Sequence, residues 1–505
     1  MRPAAEQYDA VIVGSGFGGA MVAQSLAAAG FRVVVLERGV WPWRDDADWS
    51  PHQVIVRNRY GASAPLWVRQ YRQRRFRPLW PTAVVGGLSV IFGGAAMRLR
   101  STDFAHWPFS YADLEPYYAR AERLLGIHGA VDAAAWEPPR SGPFPHAPGE
   151  LNAPAQRLHD AALRLGYSPS RLPLAINVHD ASRPRCAECT TCDGFPCKLG
   201  AKNDVAEAVL RPAVGAGLEV ADRVTVAQLR LERGAVRSVV CCDESDGTQF
   251  EVRGRVVVVA AGALHTPTIL LRSGLGQAGD AAFLGRFLMR HCNIVVCALF
   301  PFATNPEGAF HKQLCFAQFY EDLRHELGTA TGVIQDISTP TPEVIRHFAP
   351  RGLGRPASLF AHLLQNLLCV AEDEPQADNR VVLGAARDAL GLPVAMVTHR
   401  YSRRDLVRRR YLVVRARRIL RGAGGWPVWS MPIETFSHAL GTVRCSDSPA
   451  TGALDPDCRY WGVDNLYVAD ASFMPTSGGV NPSLTIAANA LRVAEAIVAG
   501  GSGAR

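Results

Sequence analysis

Apolar residues fall into short blocks separated by small-residue or turn segments, and these blocks predict alternating strands and helices. Residues 10–13 predict a buried strand, residues 20–29 a helix of small side chains, and residues 32–36 a second strand. Apolar blocks at 256–260 and 466–468 predict two more strands, and an alanine-rich helix follows the second. This alternation favours one α/β domain assembled from segments that are far apart in the chain.

A different pattern occupies residues 400–421, where ten of 22 residues are arginine. The spacing of the apolar residues predicts a helix with one buried face and solvated arginines on the rest. An acidic partner or a membrane surface is the alternative explanation of this charge. The apolar positions are Leu406, Val407, Leu412, Val413, Val414, Ile419 and Leu420.

From the composition we expect a globular chain that does not bind nucleic acid. The 505 residues are 48% hydrophobic and 20% charged, and the net charge is +8. Only Lys198, Lys202 and Lys312 are lysines, which indicates a GC-rich coding bias rather than selection for phosphate contacts. The chain shows neither a secretory signal nor an uninterrupted apolar run of about 18 residues, so we expect a cytoplasmic protein without a transmembrane segment.

The first strand and helix enclose a Gly-x-Gly-x-x-Gly motif. Gly14 permits the tight turn, Gly16 lets the backbone approach a pyrophosphate, and Gly19 lets helix and strand pack closely. The N–H groups at the start of the helix favour phosphate. Glu37 ends the second strand, where an acid binds ribose hydroxyls and disfavours a 2′-phosphate. The motif predicts a dinucleotide site but does not separate FAD from NAD.

Three later segments resemble the glucose–methanol–choline (GMC) oxidoreductase family. Residues 85–94 read VGGLSVIFGG and are similar to the family's second glycine-rich loop. Residues 262–276 read GALHTPTILLRSGLG and resemble its signature. Residues 437–485 contain SHALGT, DNLYVADAS and NPSLT, which resemble the stretch that closes the flavin site. The order and separation of the three segments identify the chain as a member of this family.

The resemblance implies an α/β fold, with a Rossmann-like FAD-binding domain and an inserted α+β substrate-binding domain. The FAD-binding domain would comprise residues 1–50, 81–130, 200–290 and 436–505. The substrate-binding domain would comprise 291–435 with parts of 51–80 and 131–199.

The resemblance also implies which residues surround FAD. Ile91 stands where relatives with a covalent flavin have histidine, so we expect a dissociable FAD, and Phe92 replaces a frequent asparagine. Besides Gly14, Gly16, Gly19 and Glu37, the implied cofactor residues are Phe17, Gly18, Arg38, Gly86, Gly87, Ser89, Gly93, Gly94, Val224, Ala261, Gly262, Asp470, Ala471, Asn481, Pro482, Ser483 and Thr485.

Oxidation of an alcohol requires a base for the hydroxyl proton and a donor that holds the alkoxide oxygen. Neutral imidazole accepts a proton near physiological pH, which suits His438 to the first role. An amide donates hydrogen bonds without carrying charge, which suits Asn481 to the second. The resemblance implies the same pair, since His438 and Asn481 occupy the family's catalytic positions.

Four cysteines are clustered as Cys186-x2-Cys189-x2-Cys192-x4-Cys197. Thiolates at this spacing could bind an iron–sulfur cluster or a zinc ion. We favour the alternative, packed thiols or local disulfides, because the spacing differs from that of ferredoxins. In either case the cluster is separate from the expected site of hydride transfer.

We therefore expect an FAD-dependent enzyme that oxidises a sugar, an amino sugar or a polyol-like alcohol. Dioxygen or another electron acceptor would reoxidise the flavin. One alternative is a lyase on the same fold that uses His438 only for acid–base chemistry. A non-catalytic flavoprotein is a further alternative, which the presence of His438 and Asn481 disfavours.

Overall fold

The computed structural model describes residues 2–70, 73–131, 137–276, 282–350 and 352–501. The strands are β1 (Gln7–Val13), β2 (Val33–Leu36), β3 (Leu66–Arg69), β4 (Arg77–Leu79), β5 (Ser170–Arg171), β6 (Leu218–Ala221), β7 (Val224–Glu232), β8 (Ala235–Asp243), β9 (Gln249–Val259), β10 (Ile294–Leu299), β11 (Leu314–Phe316), β12 (Gly332–Ile337), β13 (Leu364–Ala371), β14 (Arg380–Arg387), β15 (Pro393–Thr398), β16 (Val428–Pro432) and β17 (Leu466–Val468). The helices are α1 (Phe17–Ala28), α2 (Tyr111–Leu124), α3 (Ala153–Arg164), α4 (Arg211–Ala213), α5 (Thr266–Arg272), α6 (Arg324–Leu327), α7 (Pro342–Phe348), α8 (Gly354–Leu359), α9 (Arg403–Gly422) and α10 (Ser483–Gly501).

The first sheet has seven strands in the order β6-β2-β1-β9-β8-β7, and β17 pairs with β9. The central pairs of β1 with β2, β1 with β9 and β9 with β17 are parallel. All four residues of β2 are buried, as expected for a parallel strand covered on both faces. The predicted α/β domain with a Rossmann-like nucleotide fold is confirmed.

The second sheet has six strands in the order β16-β10-β13-β12-β11-β5. One of its faces packs against α9 through a cluster of apolar side chains. That cluster includes Ile294, Val296, Ile334, Leu367, Cys369, Leu412, Ala416, Ile419 and Leu420. A smaller sheet has the order β14-β15-β3-β4.

Helix α9 confirms the predicted helix with one buried face, with two differences. Val407 and Val414 lie on its exposed side. Arg408 is fully buried, so the expectation that the arginines are solvated is wrong at this position. Its guanidinium donates to Asp405 Oδ1 at 3.2 Å and to Thr329 Oγ1 at 2.5 Å. A carboxylate and a hydroxyl within reach make burial of the charge possible.

The strands of the first sheet lie within the four segments expected to form the FAD-binding domain, and the strands of the other two sheets lie outside them. The domain boundaries themselves remain a prediction. Helix α10 is apolar enough to pass a length and composition test for a membrane span, but 61% of its Ser483–Gly500 window is buried. It packs against α1 and α2, as a core helix does.

Candidate active site

The two glycine-rich loops meet at the carboxyl end of β1. Gly14 has φ of 97°, which favours glycine, and a side chain there would collide with Ala260 O. A Cβ on Gly87 would lie 3.1 Å from Gly16 Cα, so the second loop touches the first. A Cβ on Gly16 would meet nothing within 4 Å. The residues present therefore fit a pyrophosphate that approaches the Gly16 backbone at the start of α1.

Glu37 holds both loops in place. Its Oε2 accepts hydrogen bonds from Ser15 N at 3.1 Å and Ser15 Oγ at 2.6 Å, and its Oε1 accepts from Gly39 N at 2.8 Å. Ser15 Oγ in turn accepts from Gly86 N at 2.9 Å. The carboxylate thus organises the first loop directly and the second through one serine. Its contact with a ribose remains a prediction.

Asp470 joins the signature segment to the C-terminal segment. Its carboxylate accepts hydrogen bonds from Gly262 N at 2.8 Å, from Thr266 Oγ1, and from Ser472 N at 2.8 Å. Burial raises the pKa of this carboxyl, and the hydrogen bonds oppose that change. The Asp470 carboxylate therefore links the segment of residues 262–276 to the C-terminal segment.

Several implied cofactor residues have side chains already bound within the protein. Ser89 Oγ donates to Gly86 O at 2.7 Å, Ser483 Oγ donates to Ala95 O at 3.0 Å, and Thr485 Oγ1 lies 2.7 Å from Tyr118 Oη. Their hydroxyl groups are thus engaged by the protein itself, and their contacts with FAD remain a prediction. The other implied residues lie in or beside the same loops: Phe17, Gly18, Gly19, Arg38, Gly93, Gly94, Val224, Ala261, Ala471 and Pro482.

His438 is held by two side chains that immediately precede β10. Its Nδ1 lies 3.0 Å from His291 Nδ1 and 3.4 Å from Asn293 Nδ2. Burial lowers the pKa of His438 well below its usual range, and the neighbouring His291 and Lys312 lower it further. The imidazole is therefore neutral at physiological pH, the state that a proton acceptor needs.

Asn481 is held by a side chain of β12. Its Oδ1 accepts a hydrogen bond from Gln335 Nε2 at 2.7 Å, and both residues are buried. Because the amide oxygen is occupied, the Nδ2 group is the end of the carboxamide left to donate to a substrate oxygen.

The second sheet places Asn293, which lies beside His438, and Gln335, which binds Asn481, on the same face. Val295 of β10 and Gln335 of β12 both pair with Leu368 of the intervening strand β13, so the three side chains form one row. Cys292 and Ile294 belong to the cluster under α9, which leaves Asn293 on the opposite face with Val295. Strands spaced about 4.8 Å apart make the row roughly 10 Å wide. His438 and Asn481 thus approach the same sheet face.

Sequence reasoning missed His291, Asn293 and Gln335, the residues that orient the expected catalytic pair. A usable signal was present: Asn293 and Gln335 are polar residues in or next to mostly apolar strands. Buried amides in apolar strands need a polar partner, and that partner is commonly functional.

The cysteine loop packs against the second glycine-rich loop. Gly194 N donates to Ile91 O at 2.8 Å, and Lys202 Nζ donates to Phe92 O at 2.9 Å and to Cys192 O at 3.0 Å. A Cβ on Gly93 would lie 2.7 Å from Cγ of Asp193, which belongs to the cysteine loop. The loop is thus an immediate neighbour of the expected flavin site.

All twelve cysteines lie in the described ranges, and all are free thiols. Burial raises the pKa of Cys186 to about 11 and that of Cys192 to about 12, so these two are protonated. Among the described residues, no group of three or more His, Cys, Asp or Glu side chains could hold a metal ion. An iron–sulfur cluster or a zinc ion is therefore not shown for these residues, and the choice between packed thiols and local disulfides remains a prediction.

Comparison with known proteins decides the family. Models of the GMC oxidoreductase family match residues 8–293 and 375–490. The chain belongs to the GMC oxidoreductase family. It is 32% identical to 6'''-hydroxyparomomycin C oxidase of Streptomyces lividus and 31% identical to paromamine 6'-oxidase of Streptomyces fradiae, with 97% of this chain and 91% of each relative covered.

The fold of this GMC oxidoreductase is shared with solved structures of low sequence identity. A variant of formate oxidase from Aspergillus oryzae RIB40 superimposes with a TM-score of 0.73 at 16% identity, over 99% of this chain and 100% of that one. The predicted inserted α+β domain is therefore confirmed as part of the family fold. As a GMC oxidoreductase, the chain is an FAD-dependent enzyme that acts on CH–OH groups, which confirms the predicted class.

Proposed function

We propose that this enzyme oxidises an alcohol group of a sugar, an amino sugar or a polyol-like metabolite, with His438 as the base and Asn481 as the alkoxide donor. One observation carries the proposal: a neutral imidazole and an oriented amide group are fixed by Asn293 and Gln335 on the same sheet face. The two Streptomyces relatives are an oxidase of paromamine and an oxidase of 6'''-hydroxyparomomycin C, which supports an amino sugar among the candidate substrates.

FAD would be held without a covalent bond. The backbone of Gly16 at the start of α1 would meet its phosphates, and Ile91 offers no nucleophile for attachment. When bound, FAD supplies the hydride acceptor.

The protein residues have two tasks. His438 takes the hydroxyl proton, and its low pKa keeps it unprotonated at physiological pH. Asn481 donates to the substrate oxygen as negative charge develops there, because Gln335 already occupies its amide oxygen. Dioxygen or another electron acceptor would then reoxidise the flavin.

Anaerobic mixing of the FAD-loaded protein with paromamine should bleach the 450 nm flavin band. A stopped-flow screen with paromamine, a neutral hexose and simple polyols measures the rate for each. A lyase would convert its substrate while the flavin stays oxidised. Bleaching by none of these alcohols would count against the proposed substrate class.

Replacing Gln335 by methionine should slow flavin reduction about tenfold. The substitution keeps the volume but removes the hydrogen bond that orients Asn481, so the amide turns freely and aligns less often with the developing charge. Gln365 is a suitable control because it is also buried but donates to Pro154 O, and Gln365→Met should leave the rate within about twofold. Equal rates for Gln335→Met and the wild type would remove Gln335 from this role.

A further inference from the structure

His291 connects the expected base to the loop that precedes Asn481. Its Nδ1 lies 3.0 Å from His438 Nδ1, and its Nε2 lies 3.1 Å from Ser477 O and 3.0 Å from Gly478 O. The side chain is completely buried, and the two rings are nearly perpendicular, with centroids 5.1 Å apart. Both nitrogens of His291 are therefore committed to protein partners.

These contacts determine where the protons are. Two carbonyl oxygens can only accept hydrogen bonds, so the proton of neutral His291 is on Nε2. Its Nδ1 then carries a lone pair. Two lone pairs cannot face each other at 3.0 Å without a proton between them, so His438 must supply the proton from its own Nδ1.

We propose that His291 is a positioning residue that holds His438 in the tautomer protonated at Nδ1, which leaves the Nε2 lone pair for the substrate hydroxyl. The inference rests on the proposed function of His438 as the base and extends it by one residue. Without a fixed partner, neutral imidazole exchanges between two tautomers, and only one of them has Nε2 available.

Asn293 is compatible with the same tautomer. Its Oδ1 has no hydrogen-bond partner among the described residues, while its Nδ2 lies 3.4 Å from His438 Nδ1. Rotation of the carboxamide by 180° would bring this unused acceptor to the histidine. His438 Nδ1–H would then face two acceptors, His291 Nδ1 and Asn293 Oδ1.

The backbone at His291 is held in an uncommon conformation. Its φ is 57°, in the left-handed region that few residues other than glycine adopt. Asp373 Oδ1 accepts from His291 N at 3.0 Å, and Tyr401 Oη donates to His291 O at 2.9 Å. The surroundings thus maintain a strained backbone that aims the ring at His438, a pattern that occurs at functional sites.

The proton balance of the step is simple. The substrate O–H bond breaks and an N–H bond forms at His438 Nε2, which makes His438 an imidazolium. Its Nδ1–H continues to donate to His291 Nδ1, so the new positive charge keeps a hydrogen-bond acceptor. His291 itself gains and loses no proton.

Nitrogen NMR of the FAD-loaded protein tests the tautomer without measuring activity. In protein labelled with ¹⁵N-histidine, the His438 signals, assigned by their loss in His438→Gln, should show a protonated Nδ1 and an unprotonated Nε2. In His291→Gly the signals should indicate exchange between tautomers. A wild-type His438 protonated at Nε2 would overturn the proposal.

Flavin reduction by paromamine, or by the fastest alcohol of the screen, tests the consequence. His291→Gly suits the left-handed backbone but removes the acceptor, and it should reduce the rate about 10²-fold. His291→Asn also tolerates this backbone and can offer Oδ1 to His438, so it should recover most of the rate. Added imidazole should partly restore His291→Gly.

The pH dependence of the flavin reduction rate distinguishes a positioning role of His291 from a merely structural one. His438 faces His291 and is influenced by Lys312, Arg290 and Asp373, which all remain in the variant. His291 lowers the pKa of His438, so the apparent pKa of the reduction rate should rise in His291→Gly. A rate and pH profile identical to the wild type would refute the inference.

The two proposals fail in different ways. If His438→Gln reduces its flavin at the wild-type rate, the proposed base is wrong. If His438→Gln is slow but His291→Gly is not, only the positioning role is wrong.

Discussion

Substitution of His438 by glutamine should slow reduction of the flavin by about 10²–10⁴-fold while FAD stays bound. General base catalysis contributes this much, and glutamine cannot accept the hydroxyl proton. The glycine-rich loops and Asp470 do not contact His438 through any hydrogen bond of the described residues, so cofactor binding should persist. Stopped-flow absorbance at 450 nm gives the rate, and the ratio of absorbance at 450 to 280 nm gives the FAD content.

The pH dependence of the wild-type rate supplies a second measurement on the same residue. Because burial lowers the pKa of His438, the base form should persist well below pH 6.5. The rate should therefore be flat near neutrality and fall only as the pH drops through the lowered pKa. His438→Gln should lack this acidic limb. An unchanged rate in the variant would exclude His438 as the base.

Substitution of Gly16 by alanine should weaken FAD binding strongly and leave the protein folded. A Cβ at this position meets no protein atom within 4 Å, so the apoprotein has room for it. The added methyl group instead occupies the space through which a pyrophosphate would approach the start of α1. Equilibrium dialysis or flavin fluorescence should show a loss of affinity of about 100-fold or more, a cost near 3 kcal/mol.

Gly19→Ala is the matched comparison. A Cβ there would lie 1.9 Å from Gly14 O, so this variant should be destabilised as a fold and not only in its affinity for FAD. Thermal unfolding of the two apoproteins separates the cases. If Gly16→Ala binds FAD as tightly as the wild type, the expected position of the pyrophosphate is wrong.

The parts of the fold that were predictable depend on local patterns. The nucleotide-binding unit is an example: its strand at residues 10–13, its turn at Gly14 and its acid at Glu37 are close in sequence. Each occupies a position where the βαβ geometry requires that type of residue. The helix begins at Phe17, three residues before the predicted start, because glycines obscure the periodic pattern. The family segments then supplied the overall arrangement.

The orientation of the candidate catalytic pair was not predictable. His291 and His438 are 147 residues apart, and Gln335 and Asn481 are 146 residues apart. These partners meet only through the pairing of β10, β13 and β12, which no short-range pattern encodes. The burial of Arg408 was missed for the same reason, since its partner Thr329 comes from another segment.

The central strand β9 lies between β1, from the beginning of the chain, and β17, from its end. A Cβ on Gly18 would lie 1.8 Å from Ala469 O, so the start of α1 rests directly on the residue that follows β17. The nucleotide fold can therefore close only after β17 and Ala469 have been synthesised. A chain truncated before β17 should therefore lack a closed nucleotide fold and bind no flavin.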